Sequence, residues 1–553
     1  MAAEDVNGEA EVFDYVIVGA GTAGCVLAHR LTENDCSATV CILEAGPSDR
    51  HPFLHIPAGF IKVVFDPRYT WRFQTDPGGA INGRSISVPQ GRTVGGSSSV
   101  NGMIFNRGQR NDYDGWARAG NEGWGYLDVL PYFRKLERRI GEADAHYRGM
   151  EGPLPVTSTD WIHPLSEAFM AGAEHAGIPR NPDFNGRSQA GVGYMQRSIY
   201  RGRRQSAADV YLKPALRTKR VKLRTGATVL RLDFEGERAV GARYLQDGRG
   251  EPMQVKARRE VLLCAGAVNS PRILQLSGIG PAPLLQQLGI PVRQALPAGE
   301  GLRDHFSVRV VAGVRNCLTL NEIARGPRLF AQVARWLLGY PSVLALSPAL
   351  VHWFWKSDPA LDAPDLQGIF TPGSYKEGFM GLLDDFPGMS AGVNQHRPRS
   401  VGHVHARSVD PFVDPVIQPN YLSHSHDQQV LVAGIKMARE LLRTPALAKF
   451  FDEERMPGPA AQSDDDVLAF ARARGTTSYH LVGTCRMGPA HDRTTVVDST
   501  LRVHGCEGLR VADASVMPDI PSANTCAATL MLAEKAADLI GQRKPLPRVE
   551  GVH

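Results

Sequence analysis

The sequence predicts an α/β protein built around a Rossmann-like dinucleotide-binding domain, with a second, α+β module interleaved in it. Three observations predict this. Phe13 to Gly24 reads FDYVIVGAGTAG, strand-like segments from Val221 onward end in a glycine turn that opens a helix, and residues 311 to 470 have a different, proline-punctuated character.

The opening segment is the dinucleotide-binding βα turn. A short β-rich run, Asp14 to Val18, feeds into Gly19, Gly21 and Gly24 at the GxGxxG spacing, and a helical pattern (CVLAHRLTEN) follows. Gly19 makes a tight turn, Gly21 lets backbone approach a pyrophosphate, and Gly24 lets the helix pack on the strand. Thr22 and Ala23 lie between them, where the helix points its first N–H groups and positive dipole end at the phosphates. A second apolar run, TVCIL, ends at Glu44, 20 positions after Gly24, followed by Ala45. A carboxylate there accepts hydrogen bonds from a ribose 2′-hydroxyl and argues against NADP. The fingerprint leaves FAD and NAD both open.

Composition bounds the rest. With 43% hydrophobic and 22% charged residues the chain is globular, and 553 residues exceed one core. The length suggests roughly three or four domain-sized units, which interleaving can merge into two. The 62 Lys+Arg against 57 Asp+Glu leave +5 without a long run of like charge, which argues against a nucleic-acid partner. The eight cysteines form no CxxC pair and read as reduced, mostly buried thiols of a cytosolic protein.

The opening MAAEDVNGEAEVF is acidic and lacks an apolar h-region, so a secretory signal is not expected and a cytoplasmic location is the default. Trp336 to Trp355 (WLLGYPSVLALSPALVHWFW) tests that default. It is long enough to span a membrane, but it contains Pro341, Pro348 and His352. Buried core or the wall of an apolar substrate cavity is the first reading, and shallow docking at the inner membrane the second.

Farther along, Gly91 to Met103 (GRTVGGSSSVNGM) can present several backbone N–H groups beside a phosphate or a ring system. VKLRTGATVLRLDFEG, AVGARYL and EVLLCAGAVNSPRILQLSGIG read as strands, then a helix over Asn269 to Ser277 with Ser270 as N-cap and Pro271 at the first helical position. The 311 to 470 region, with SVGHVHARSVDPFVDPVIQPNYL and a helix in DQQVLVAGIKMARELLRT, is assigned to substrate binding. Near the C-terminus, LRVADAS reads as a strand ending at Asp513, and PSANTCAATLMLAEKAADLI as a long helix.

Taken together, FDYVIVGAGTAG, GRTVGGSSSVNGMIFNRGQRNDYD, GAVNSPRILQLSGIG, YHLVGTCRMG and SANTCAATLMLAEKAA resemble the glucose-methanol-choline (GMC) oxidoreductases, FAD-dependent enzymes that oxidise alcohols, over residues 13 to 540. The chain is most like the branch of bacterial choline dehydrogenases and aliphatic alcohol dehydrogenases. The resemblance implies an FAD-binding Rossmann-like domain of GMC type, formed by residues 11–160, 200–310 and 472–545. It implies an interleaved α+β substrate-binding domain on an antiparallel sheet, formed by 161–199 and 311–471. By the same matching, His480 is the active-site histidine and Asn524 its partner. Gly91, Thr93, Gly96, Asn101, Gly102, Met103, Ile104 and Tyr479 lie along the flavin and pyrophosphate, Val229 near the adenine, and Asp513 and Ala514 near the phosphates or ribityl chain. Some relatives attach FAD covalently through a histidine at the position of Val100, so non-covalent FAD is expected. The implied partners are an alcohol and either a quinone or other carrier or O2; the family also holds hydroxynitrile lyases and a photodecarboxylase.

The chemistry agrees. A simple alcohol lies roughly nine pKa units above a typical histidine, so a free alkoxide costs on the order of 12 kcal/mol. The base therefore takes the proton as, or just before, the hydride leaves for flavin N5. A histidine is suited to this, and Asn524 can hydrogen-bond the substrate oxygen without titrating. His403 and His405 share a strand face but have no evident third ligand, so no metal site is expected. The apolar content of residues 330 to 355 favours an uncharged, hydrophobic primary alcohol over choline.

Overall fold

The computed structural model describes residues 10–376 and 382–552. The first nine residues of the acidic opening, on which the expectation about a secretory signal rests, lie outside them.

The first sheet grows from Glu11–Val18 and Val40–Glu44, which pair in parallel. All five residues of Val40–Glu44 are buried, as befits a parallel strand covered on both faces. Val221–Thr225 and Arg249–Leu263 flank this pair in parallel, and Leu509–Val511 adds to Arg249–Leu263. Ala227–Glu235 and Arg238–Gln246 extend the sheet as antiparallel strands. The first helix, Thr22–Asn34, packs beside the C-terminal helix Thr525–Ile540, which is buried almost all round. Between them Arg30 Nε donates to Glu534 Oε2 at 2.8 Å and the Tyr211 hydroxyl donates to Glu534 Oε1 at 2.7 Å, so the buried carboxylate is paired.

The second sheet is antiparallel throughout, in the order Phe451–Met456, Phe306–Val314, Gly388–Gln395, Leu366–Thr371, Val351–Trp355, Gly191–Tyr194. Helix Ser425–Leu442 packs on the face carrying Val308, Val310, Ala391 and Val393. The alternate residues turn the other way, toward the first sheet. Thr476–Thr477 pairs with the start of Phe306–Val314, so this sheet takes in a few residues beyond the expected divisions at 311 and 471. The strands Gly402–His405 and Val416–Gln418 do not join it; with Glu300–Leu302 they form a small sheet of their own.

Two elements differ from the sequence reading. The helix expected over Asn269 to Ser277 runs from Gly266 to Leu276. Gly266, with φ +84°, opens it, and Ser270 lies inside it, donating to Asp513 Oδ2 at 2.6 Å. Pro271 therefore interrupts the helical ladder, and the carbonyl it leaves free, that of Ala267, accepts from the Thr484 hydroxyl at 2.7 Å.

The apolar run Trp336 to Trp355 divides. Its second half is core and cavity wall, with Val351, Trp353 and Phe354 wholly buried. Its first half closes helix Gly326–Leu337, which buries none of its residues and leaves Phe330 77% and Leu337 71% exposed, with Leu338 and Tyr340 exposed beyond. No described helix is long and apolar enough to cross a membrane.

Candidate active site

The fingerprint glycines are held by geometry that excludes side chains. At Gly19, φ is +102° and a Cβ would meet the Cys264 carbonyl oxygen at 2.5 Å. At Gly96, φ is +53° and a Cβ would meet the Gly21 Cα at 2.6 Å, so the glycine-serine segment lies directly on the βα turn. A cavity runs from this junction to His480, and a second hollow continues it past Gly19, Glu44, Ala45 and Val229.

Most sequence-selected residues line this continuous space. Gly21, Gly91 and Gly96 face both parts, and Thr22, Ala23, Asn101, Gly102, Met103, Ile104, Tyr479, Asp513 and Ala514 line the larger one with His480 and Asn524. Gly24 and Thr93 lie off it. Gly24 sits where a Cβ would strike the Gly19 carbonyl oxygen, and the Thr93 hydroxyl donates to the Pro47 carbonyl at 3.0 Å.

Glu44 accepts from the backbone N–H of Ala20 at 2.9 Å and of Gly46 at 2.8 Å. Burial raises its carboxyl to about 7, and each oxygen retains acceptor capacity for a ribose hydroxyl. Asp513 is bound by Gly266 N–H at 2.9 Å, Ser515 N–H at 2.8 Å and Ser270, which pins the glycine turn against the cavity. The small residues, the start of helix Thr22–Asn34 without a side-chain cap and the paired acid at the nucleoside end fit a dinucleotide such as FAD.

At the other end, five groups form a chain of hydrogen bonds that fixes tautomers. His305 Nε2 lies 2.8 Å from the His396 carbonyl oxygen, which can accept only, so this nitrogen carries the hydrogen. His305 is wholly buried and its pKa falls to about 4, so it is neutral and its Nδ1 is bare. His480 Nδ1, 3.0 Å away, must then be the donor. Burial and the neighbouring His305 hold His480 well below the ordinary histidine range, so its Nε2 is an unprotonated base. Asn524 Nδ2 donates to that Nε2 at 3.1 Å, and Gln367 Nε2 donates to Asn524 Oδ1 at 3.3 Å.

The backbone supports this arrangement. Tyr479 adopts the left-handed conformation at φ +65°, its N–H bonded to Thr477 Oγ1 at 2.7 Å. The next N–H, that of His480, donates to the buried Asp304 carboxylate at 2.8 Å. Burial raises Asp304 to about 6 against the Thr477 and Tyr421 hydroxyls it also binds.

Sequence reasoning missed His305, Asp304 and Gln367. The first two sit in the undistinguished string GLRDHF, and the His305–His480 contact spans 175 residues. It also missed an acid beside His405, whose Nε2 lies 2.6 Å from Glu300 Oε1. The described Asp49, His55 and Asp209 come close enough to chelate, but Lys213 Nζ already bridges the two acids at 2.8 and 2.6 Å.

Residues 13–307 and 398–533 match the N- and C-terminal models of the GMC oxidoreductases. The chain is 39% identical over 532 residues to an alcohol dehydrogenase (acceptor) of Pseudomonas putida, covering 96% of each. It is 41% identical over 538 residues to the mitochondrial choline dehydrogenase of Homo sapiens, covering 96% of this chain and 89% of that one. Among solved structures it is similar to pyridoxine 4-oxidase from Mesorbium loti, with a TM-score of 0.86 and 29% identity over 96% of this chain and 100% of the other.

Proposed function

The chain belongs to the GMC oxidoreductase family and is an FAD-dependent oxidoreductase acting on CH–OH donors; on that footing we propose that it converts a primary alcohol to the aldehyde, with His480 Nε2 taking the hydroxyl proton. The observation that carries the assignment is the bare Nε2 in the cavity wall, fixed by His305 on one side and met by Asn524 on the other. A substrate hydroxyl donates to Nε2 in place of Asn524, whose amide then donates to the substrate oxygen and stabilises the charge developing there. FAD, when bound, supplies the hydride acceptor. Gly19, Gly21, Glu44, Gly96 and Asp513 would hold it. Val100, buried in the cavity wall, offers no atom for a covalent link, which supports non-covalent binding.

A quinone or other carrier is the proposed electron acceptor, with O2 as the alternative. The eight cysteines are all unpaired, which supports a reducing, cytoplasmic compartment. The exposed Phe330, Leu337, Leu338 and Tyr340, set among exposed Arg325, Arg328 and Arg335, support contact with an anionic lipid surface.

The test is anaerobic addition of primary alcohols to the purified holoprotein and to His480→Ala. Bleaching of the flavin band by the parent protein, lost in a variant that still binds FAD, is the expected result. A flavin that no alcohol reduces would overturn the reading.

A further inference from the structure

The cavity floor is the face of the second sheet that turns away from helix Ser425–Leu442. Its strand register places Ser307, Asn394 and Gln367 in one rank and Arg309, Gly392 and Ile369 in the next, and all six line the cavity. Gln367 bonds Asn524, so the first rank is level with the proton-abstracting pair, and the second lies two residues along the strand, about 7 Å away. Gln367 is 3% exposed, and its Oε1 has no partner among the described residues.

The charge of this chamber is one-sided. Among the described residues lining the larger cavity, Arg309 is the one cation. The one carboxylate there, Asp513, is committed to Gly266, Ser270 and Ser515 at the glycine turn. The Arg309 guanidinium lies over the Tyr375 ring, 5.0 Å from its centroid, and has no ion pair or side-chain hydrogen bond among the described residues. Opposite it, Gly392 carries no side chain, and a Cβ there would meet Ile369 at 2.9 Å and the Arg309 stem at 3.6 Å, so the arginine lies flat across the glycine and still borders the cavity. A half-buried guanidinium without a counter-charge, facing open space, is a receptor for a planar anion. A single arginine matches one carboxylate in charge and in its two-pronged geometry better than a dianionic phosphate.

We propose that Arg309 anchors a carboxylate in the substrate cavity, so that the preferred substrate is a hydroxy acid with its primary alcohol at His480 and its carboxylate at the second rank of the floor. This deepens the alcohol-oxidising reading and rests on it. A quaternary ammonium such as choline meets the wrong sign of charge there, with no acid to offset it.

Two measurements separate the inference from its premise. In the first, ω-hydroxy acids, n-alkanols of the same length and choline are compared by kcat/KM in the parent, Arg309→Met and Arg309→Glu proteins, each checked for bound flavin. The parent is expected to favour the hydroxy acid over the alkanol by at least about tenfold, Arg309→Met to abolish that ratio, and Arg309→Glu to shift preference toward choline. A parent that ignores charge or prefers choline, or an Arg309→Met variant that keeps the ratio, overturns the inference while alcohol oxidation stands.

The second measurement is binding of the matching alkanoate, which carries no hydroxyl, followed by calorimetry on the holoprotein. Saturable binding weakened at least about tenfold in Arg309→Met supports the subsite even if no alcohol is turned over, and equal or absent binding in both proteins overturns it.

Discussion

His305 Nδ1 stands 3.0 Å from His480 Nδ1, two nitrogens of the same kind that can bond only if one carries hydrogen and the other does not. Because the far nitrogen of His305 is bound to a peptide carbonyl, the hydrogen belongs to His480. The base form of His480 therefore persists at neutral pH, and on its proposed role activity should be lost as pH falls through its depressed pKa. His305→Ala removes the acceptor and lets water in. It should lower kcat on the order of tenfold to a hundredfold and move the acid limb of kcat/KM upward, toward the ordinary histidine value of about 6.5. A rate loss with the acid limb unmoved would show that His305 only fills space.

Gly96 is where the glycine-serine segment rests on the fingerprint turn. Gly96→Ala places a methyl within 2.6 Å of the Gly21 Cα at a positive φ, so the two loops must part. The expected outcome is a folded protein that purifies with little or no flavin. Full flavin occupancy, read from the visible spectrum, would contradict the close contact.

His352 is a histidine without a task. It is wholly buried among Phe184 and Phe354, both ring nitrogens lack partners among the described residues, and burial depresses its pKa to about 3. An unpaired buried imidazole costs about 1–3 kcal/mol, so His352→Leu should stabilise the protein at neutral pH. The gain should grow on acidification. Below about pH 6.5 the unfolded chain takes up a proton that the folded one refuses, so the parent loses stability as pH falls, roughly a further 2–3 kcal/mol by pH 4.5. Denaturant melts at the two pH values give the comparison, and a variant less stable at both would mean that the ring is needed for packing.

The exposed face of helix Gly326–Leu337 can be tested directly. The double variant Phe330→Asp, Leu337→Asp should lower co-sedimentation with vesicles rich in anionic lipid, and high salt should lower that of the parent. If the parent stays in the supernatant with every vesicle composition, the lipid-contact reading fails.

What the sequence disclosed, it disclosed through local constraints. The fingerprint was legible because each glycine answers to a turn or a contact within one βα unit, and Glu44 because its distance from that unit is short. The start of helix Gly266–Leu276 was displaced by three residues because Ser-Pro is a strong local start signal, while the actual anchor, Asp513, is 247 residues away. The Trp336–Trp355 run looks like one object to hydropathy, which does not register the turn that leaves Leu337, Leu338 and Tyr340 exposed and buries Val351, Trp353 and Phe354. His305, Arg309 and Gln367 were invisible for a similar reason: long-range contact, not local pattern, brings His305 and Gln367 to His480 and Asn524, and strand register sets Arg309 on the same face.

The direction of the hydrogen bonds from Gln367 through Asn524, His480 and His305 has a kinetic consequence. The last acceptor is a peptide oxygen, a terminus that holds a hydrogen bond but is far too weakly basic to take a proton onward. If His480 is the proposed base, its imidazole is a store with its back wall sealed, and the proton it collects each cycle must leave by the mouth through which the alcohol entered. Departure of the aldehyde and discharge of the proton share that doorway, so a slow-leaving product would hold the enzyme charged, and exchange with solvent would mark the moment the chamber empties.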